Sequence, residues 1–112
     1  MEKGTISKQV KLSEQFYKSA ERVYDFGLEM FGYFQAERYK QEIRESLGTL
    51  PDFHMVYPEC RHLATKSRIY RNIILGAHLI IYRITAYRIE VLDIIHFSSN
   101  IGKIRDTRKI QI

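Results

Sequence analysis

The chain has 112 residues, of which 45% are hydrophobic and 28% are charged, a composition that fits a folded globular domain and argues against a disordered chain. The single cysteine, Cys60, excludes an internal disulfide and indicates a reducing compartment. The net charge of +5 is uneven: residues 1–50 carry eight basic and eight acidic residues, whereas residues 51–112 carry ten and five. The second half therefore predicts an anionic partner, either nucleic acid or an acidic protein segment.

No segment has the pattern of a targeting or membrane signal. Residues 1–5 lack the apolar core of a secretion signal. The longest apolar run, from Ile73 to Tyr82, is interrupted by Gly76 and His78 and is shorter than the roughly 20 residues that a membrane span requires. The four histidines show no metal-ligand spacing. The sequence predicts a soluble cytoplasmic protein without a metal or a cofactor.

A short strand and two helices are predicted in the first half. Residues 6–12 end in an alternation of apolar and polar side chains, which indicates a strand with one buried face. Ser13 is typical of a helix N-cap, Gly32 suits a C-cap, and Pro51 forbids continuation of the second helix. The apolar residues at helical spacing are Phe16, Ala20, Val23, Tyr24, Gly27 and Phe31 in the first helix and Ala36, Tyr39, Ile43, Leu47 and Leu50 in the second.

The second half is rich in strand-forming residues. Residues 53–60 have no clear period and are predicted to form a loop, and the stretch from Arg61 to Ala64 predicts a brief strand. Longer strands are predicted from Ser67 to Leu75, from His78 to Thr85 and from Ile89 to Phe97. Because these strands follow one another through short turns, they are expected to pair antiparallel.

This order of elements predicts an α+β fold in a single domain over residues 1–112. A short N-terminal strand and an antiparallel two-helix hairpin are expected, the hairpin packing on a mainly antiparallel sheet of four to five strands. The hairpin should cover one face of the sheet and leave the other face open. Residues 98–112 form a tail with four basic residues, and this tail is expected to be loosely ordered without a partner.

Over roughly residues 8–107 the chain resembles the RelE/ParE superfamily of toxins from type II toxin–antitoxin systems. The matching stretches are the junction Leu12-Ser13, the helix end Gly48-Thr49-Leu50-Pro51, the strand arginine in Tyr70-Arg71, the strand from His78 to Ile84 and the closing strand from Ile89 to His96. The resemblance implies the toxin of a bacterial plasmid-stabilisation system. It also implies a cognate antitoxin that neutralises the toxin with an extended or helical segment.

The superfamily divides by target, and two departures favour its ParE-like branch. ParE-like members are not known as nucleases, and some poison DNA gyrase, whereas RelE-like members cleave mRNA on the ribosome. Ribonuclease members often carry an arginine where this chain has Leu79 and a tyrosine where it has Phe97. The resemblance therefore implies a ParE-like toxin that inhibits a target such as DNA gyrase. A ribosome-dependent mRNA endoribonuclease and a non-toxic interaction module of the same fold remain alternatives.

The candidate residues for action on a target are mostly basic. Cleavage of RNA needs an acid, a base and cations around the phosphate, and Arg71, Arg83 and His96 are the candidates for these roles. Arg71 and Arg83 lie on adjacent predicted strands and would converge on one face if the register allows it. Alternatively, the arginines pair across the sheet with Glu90 or Asp93 or are solvated, and His96 is a capping or hydrogen-bonded histidine. The wider target-binding set adds Lys66, Arg68, Lys103, Arg105 and Arg108.

Several apolar residues lie outside the predicted helix and strand stripes. They exceed what a two-layer core of this size is expected to bury, so they predict an exposed patch that an antitoxin covers. The alternative is a wider buried face. These residues are Tyr17, Leu28, Met30, Phe34 and Met55.

Overall fold

The computed structural model of the chain describes residues 7–112, so Ile6 and the rest of the N-terminal segment lie outside the described residues. The elements follow the predicted order. They are β1 (Gln9–Leu12), α1 (Glu14–Phe31), α2 (Tyr33–Gly48), the short α3 (Leu50–Phe53), β2 (Tyr70–Leu75), β3 (His78–Ile84), β4 (Arg88–His96) and α4 (Ile101–Asp106). Two short 3-10 turns add Arg61–Leu63 and Thr107–Lys109.

Within residues 7–112 the strands form one mixed sheet in the order β1-β4-β3-β2. β2, β3 and β4 are antiparallel neighbours joined by tight turns, and Gly76 permits the first turn through its positive φ of 54°. β1 runs parallel to β4, which requires a long crossover, and the helices and strands between them provide it. The predicted α+β fold with a mainly antiparallel sheet is confirmed.

Ser13 ties the start of α1 to the sheet. Its hydroxyl accepts a hydrogen bond from the backbone N–H of Phe16 at 2.8 Å, as expected of an N-cap, and donates to the carbonyl of Leu92 at 2.6 Å. Leu92 is the extra residue of a bulge where the pairing of β3 with β4 shifts register. α1 therefore starts from the bulge, packs along β4 and ends at Gly32, where a φ of 89° fits the predicted C-cap.

Both faces of the sheet carry a hydrophobic core, so the expectation of an open second face is wrong. The core under the hairpin contains Phe16, Ile43, Leu50, Ile73, Ile80, Tyr82, Ile89, Val91 and Ile94. The core on the opposite face contains Cys60, Leu63, Ile81, Leu92, Ile95 and Ile104. Side chains of successive strand residues point to opposite faces, and the central positions of β3 and β4 bury apolar side chains on both faces, so each face needs its own cover.

The tail supplies part of the second cover, and the expectation of a loosely ordered tail is wrong. Asn100 caps α4 by accepting a hydrogen bond from the backbone N–H of Lys103 at 2.8 Å. Ile104 and Thr107 are buried beneath the helix, and Ile110 and Ile112 pack at the edge of the same core. Burial of these apolar side chains gives the tail a fixed position.

Two local predictions are corrected between α2 and β2. The stretch predicted as a brief strand is a 3-10 turn, Arg61–Leu63, because Leu63 bonds back to the carbonyl of Cys60 and buries its side chain. α2 ends at Gly48, before Pro51, as predicted. However, Pro51 lies in the first turn of the further helix α3, where the backbone N–H that proline lacks would have no partner within the helix.

Candidate functional site

An open groove of about 990 Å³ lies between the helical hairpin and the ends of β3 and β4. Its apolar wall comes from Phe16, Ala20 and Val23 of α1 and from Ile43 and Leu47 of α2. These residues lie on the stripes that the sequence assigns to the core. The groove is present because α2 packs mainly against α1 and not against the sheet, so part of the apolar stripes of the two helices is not covered by the strands.

The hairpin tip extends the groove with exposed apolar side chains. Phe26 and Phe31 line the groove at this end, and Phe34 on the first turn of α2 is 84% exposed. Phe31 was expected in the core but is exposed, because the stripe of α1 continues past the end of the sheet. The hairpin tip is defined as the surface formed by Phe26, Leu28, Met30, Phe31, Tyr33 and Phe34.

The structure leaves all five predicted antitoxin-binding residues exposed but does not bring them together. Leu28, Met30 and Phe34 lie on the hairpin tip, and Tyr17 lines the groove. Met55 lies in the segment after α3 and does not line the groove. Sequence reasoning missed Phe26, Phe31 and Tyr33. The signal was present in the sequence, since large apolar residues flank Gly32 on both sides, at positions that no single helical stripe can bury.

Arg71 lies on the hairpin face of the sheet and is 7% exposed. Its Nη1 donates to the carbonyls of Met55 and Tyr57 at 2.9 and 3.0 Å, and its Nε donates to the carbonyl of Arg68 at 3.1 Å. These hydrogen bonds connect β2 to the segment that contains Met55 and Tyr57 and to Arg68, because the planar guanidinium of arginine presents several donors at once.

Arg83 lies on the opposite face, so the predicted convergence with Arg71 is wrong. Arg71 pairs with Tyr82 and Arg83 pairs with Tyr70 in the register of β2 and β3, and neighbouring positions along a strand point to opposite faces. Arg83 donates twice to Glu90, at 2.7 and 2.9 Å, which is the alternative that the sequence left open. Hydrogen bonds from Arg83 also reach backbone carbonyls of the tail.

His96 ends β4 on the groove side. Its ring lies beside that of His78, which is its register partner on β3, with 5.6 Å between the ring centroids. His96 is thus separated by the sheet from Arg83. Arg71, Arg83 and His96 do not form one constellation in this fold.

The remaining basic candidates are exposed. Arg68 pairs with Glu59 at 3.5 Å, and Lys66 lies in the same loop. Lys103 lines the groove, whereas Arg105 and Arg108 lie further along the tail. α4 packs against the Arg61–Leu63 turn, so two basic segments that are about forty residues apart in the sequence share one side of the molecule.

Buried acids on β4 show opposite perturbations. Burial opposes the ionisation of Glu90, but hydrogen bonds from Arg83 and Arg88 outweigh it and hold the pKa of this carboxyl below its usual value. Burial raises the pKa of Asp93, although Ser19 and the backbone N–H of Ile94 bond to it. Among the described residues, no three His, Cys, Asp or Glu side chains form a group that would hold a metal ion.

Similarity to known families and structures agrees with this geometry. The family model of the ParE toxin of the type II toxin–antitoxin system parDE matches residues 10–101. The chain belongs to the ParE toxin family. A structure of the chromosomal ParDE TA system from P. aeruginosa is similar, with a TM-score of 0.67 and 17% identity over 80% of this chain and 96% of the other chain.

At that identity the similar structure shows the shared fold alone. No curated protein matches the chain. Within residues 7–112, no helix of this ParE-family toxin is long and apolar enough to cross a membrane.

Proposed function

We propose that this ParE-family toxin binds and inhibits a macromolecular target, with DNA gyrase as the first candidate, and that a cognate antitoxin neutralises it by laying a segment in the groove. The family match supports the toxin role. The similar structure is that of a ParDE TA system, which supports an antitoxin as partner.

The unpartnered apolar surface of the groove and hairpin tip is the observation that carries this proposal. Phe26, Phe31, Tyr33 and Phe34 are each at least 59% exposed. At about 150–250 Å² per aromatic side chain, they alone present roughly 400–650 Å². That area equals the largest apolar patches of typical monomers, which often mark interaction sites. An amphipathic segment in the groove covers such a surface in the way that helix-in-groove partners do.

The separation of the arginines favours a binding toxin over a ribosome-dependent endoribonuclease. A nuclease needs cations and an acid–base group around one phosphate. Arg71 is buried against loop carbonyls, Arg83 is paired with Glu90 on the opposite face, and His96 faces the groove. A binding toxin has no such requirement.

We infer that the target contacts the basic side of the molecule around the tail and the 66–68 loop. Lys66, Arg105 and Arg108 are exposed there, and the described residues offer them no ion-pair partner. Unpaired surface cations attract an acidic partner at long range and speed its association. Arg71 and Arg83 are expected to support this surface from within.

Induced expression in a bacterial host tests the proposal, with DNA and protein synthesis followed by pulse labelling. DNA synthesis that stops first, with a DNA-damage response, supports the gyrase target. Translation that stops first, with mRNA cut at codons, replaces the proposal with the ribonuclease alternative. Unaffected growth, with the protein present in soluble form, contradicts the proposal and supports the alternative of a non-toxic interaction module. The triple variant Lys66→Ala, Arg105→Ala, Arg108→Ala should weaken toxicity gradually, whereas a nuclease site should fail abruptly.

A further inference from the structure

Two histidines form a pair in the wall of the groove where β3 and β4 end. His78 and His96 are register partners, and their rings meet edge to face with an interplanar angle of 79°. His78 is half-buried and His96 is exposed. Lys103 of α4 is a further cationic residue that lines the groove. Two imidazoles thus lie side by side in the wall of the groove, which Lys103 also lines.

Hydrogen bonds fix the tautomer of each ring. The Tyr39 hydroxyl donates to the carbonyl of Leu75 at 2.8 Å, so its oxygen accepts from Nδ1 of His78 at 2.7 Å. Nδ1 of His78 therefore carries a proton. Nδ1 of His96 accepts from the backbone N–H of Ser98 at 3.1 Å, so the proton of neutral His96 is on Nε2.

The two Nε2 atoms are left for a ligand, since no hydrogen bond within residues 7–112 uses either of them. A second proton on His78 goes to Nε2 and leaves the bond to Tyr39 intact. A second proton on His96 would go to Nδ1 and break the bond from Ser98. His78 can thus take up a proton at Nε2 without losing its hydrogen bond to Tyr39, and each ring then carries an N–H at Nε2.

The charged groups around the pair favour an anion in that state. Tyr39 and Glu42 of α2 lie on one side, with the carboxylate of Glu42 acting on the Tyr39 hydroxyl. Asp93 of β4 partly offsets the charge of Lys103. The other charged residues that line the groove are Glu21, Arg22, Lys40 and Arg44. Cations therefore outnumber acids along the groove.

We propose that His78, His96 and Lys103 form a carboxylate-binding subsite, which takes up one carboxylate together with one proton on Nε2 of His78. The carboxylate then accepts hydrogen bonds from both Nε2–H groups and pairs with Lys103. That this carboxylate is an acidic side chain of the antitoxin segment rests on the proposed function. The subsite itself rests only on the residues around it.

Proton uptake makes the affinity depend on pH in a defined direction. Burial and the neighbouring His96 lower the pKa of His78 in the free protein, so the ring is neutral near pH 7. A bound carboxylate raises this pKa. The affinity for the carboxylate therefore increases as the pH falls from the pKa of His78 in the complex to the pKa of His78 in the free protein. At lower pH the affinity is constant.

Proton NMR of the four histidines in the full chain tests the subsite, with acetate as the probe and chloride at equal ionic strength as the control. Acetate at saturation should raise the titration midpoint of His78 by about one unit. The resonances of His54 and His62, which do not line the groove, serve as internal references for a non-specific effect of acetate. An unmoved His78, or an equal shift of all four rings, overturns the proposal.

Two variants separate the subsite from a change in folding. His78→Asn keeps a donor near the Nδ1 position for Tyr39 but cannot take up a proton, so the effect of acetate on His96 should lose its pH dependence. Lys103→Gln should weaken acetate binding several-fold without altering the two tautomers. If either variant retains the full acetate response and its pH dependence, the assignment of these residues fails.

A neutralising antitoxin, once identified, separates this inference from the proposed function. Neutralisation with an affinity that does not vary with pH overturns the subsite and leaves the toxin–antitoxin proposal intact. An acetate response on His78 in a protein that has no neutralising partner supports the subsite and contradicts the antitoxin proposal.

Discussion

Arg71 and Arg83 are arginines on neighbouring strands that make contacts of different kinds. Arg71 is held by backbone carbonyls of the loop that precedes β2, and these partners are neutral. Arg83 is held by the carboxylate of Glu90 and stacks over Tyr70 at 5.8 Å. The role of a strand arginine therefore does not follow from its position in the sequence. The same guanidinium donors can bond to loop carbonyls, pair with a carboxylate or bind phosphate.

Replacing Arg71 with lysine should lower the free energy of unfolding by about 1–3 kcal/mol, because one ammonium group cannot reach all three carbonyls and leaves buried acceptors unpaired. Chemical denaturation measures the loss. Arg105→Lys is the matched control on the exposed tail and should change stability by less than about 0.5 kcal/mol. Full stability of Arg71→Lys with loss of toxicity would instead make Arg71 a target-binding residue.

At the level of the elements, the turn between α1 and α2 carries apolar side chains that the sheet does not cover. The inner turns of these helices bury Phe16, Ala36 and Ile43, whereas the large apolar residues around Gly32 contact one another and stay mostly exposed. In an isolated chain this arrangement is unfavourable, because the aromatic tip stays in water. The tip is therefore expected to stabilise a complex more than it stabilises the free protein.

Phe31→Ser should weaken neutralisation by the antitoxin by about tenfold or more, because loss of a buried aromatic contact on binding is worth about 1.5–3 kcal/mol. Phe97→Ser is the matched control, since both phenylalanines are 62% exposed and Phe97 does not line the groove. The growth of cells that co-express the antitoxin with each variant measures this effect. Equal loss of neutralisation in both variants would contradict the groove as the docking site.

For the whole molecule, one ion-pair network joins the sheet to the tail. Glu90 accepts from Arg83 and Arg88, and these arginines also donate to carbonyls of residues 108, 110 and 112. The basic tail is thus held against a basic strand pair by a single buried carboxylate. The net charge of the tail side depends on this acid, and so does the position of the tail.

Glu90→Gln should lower stability by about 1–2 kcal/mol at neutral pH, because two partly buried arginines lose their counter-charge. The folded protein lowers the pKa of Glu90, so its stabilisation is present above the unfolded pKa and is lost as the pH falls through the folded pKa. The difference between Glu90→Gln and the parent protein should therefore vanish in acid, as thermal unfolding across pH measures.

Asp93→Asn is the control for that experiment. The folded protein raises the pKa of Asp93, so ionisation of this carboxyl does not favour the folded state and the variant should show little loss of stability. A loss in Glu90→Gln that persists unchanged below the folded pKa of Glu90 would show that packing, and not charge, holds the tail.

The first strand, the two long helices and the three longer strands, with their order, could be predicted from the amino-acid sequence, whereas α3, α4 and the Arg61–Leu63 turn were not. Ser13, Gly32 and Pro51 act within a few residues of where they lie, and the apolar stripes have helical or strand spacing, so these features are local. The α+β fold class followed from that order, and the resemblance to ParE toxins rested on the matching stretches of sequence as well. Exposed apolar residues were also foreseen, although Phe31 was assigned to the core.

Which side chains meet across the sheet depends on the pairing of the strands, which the sequence patterns did not predict. The register of β2 with β3 puts Arg71 and Arg83 on opposite faces, and a shift of one residue would reverse this. The bulge at Leu92 and the register of β3 with β4 bring His78 beside His96, which are eighteen residues apart. Such contacts depend on pairing between distant segments, and the spacing of residues along one segment carries no information about that pairing.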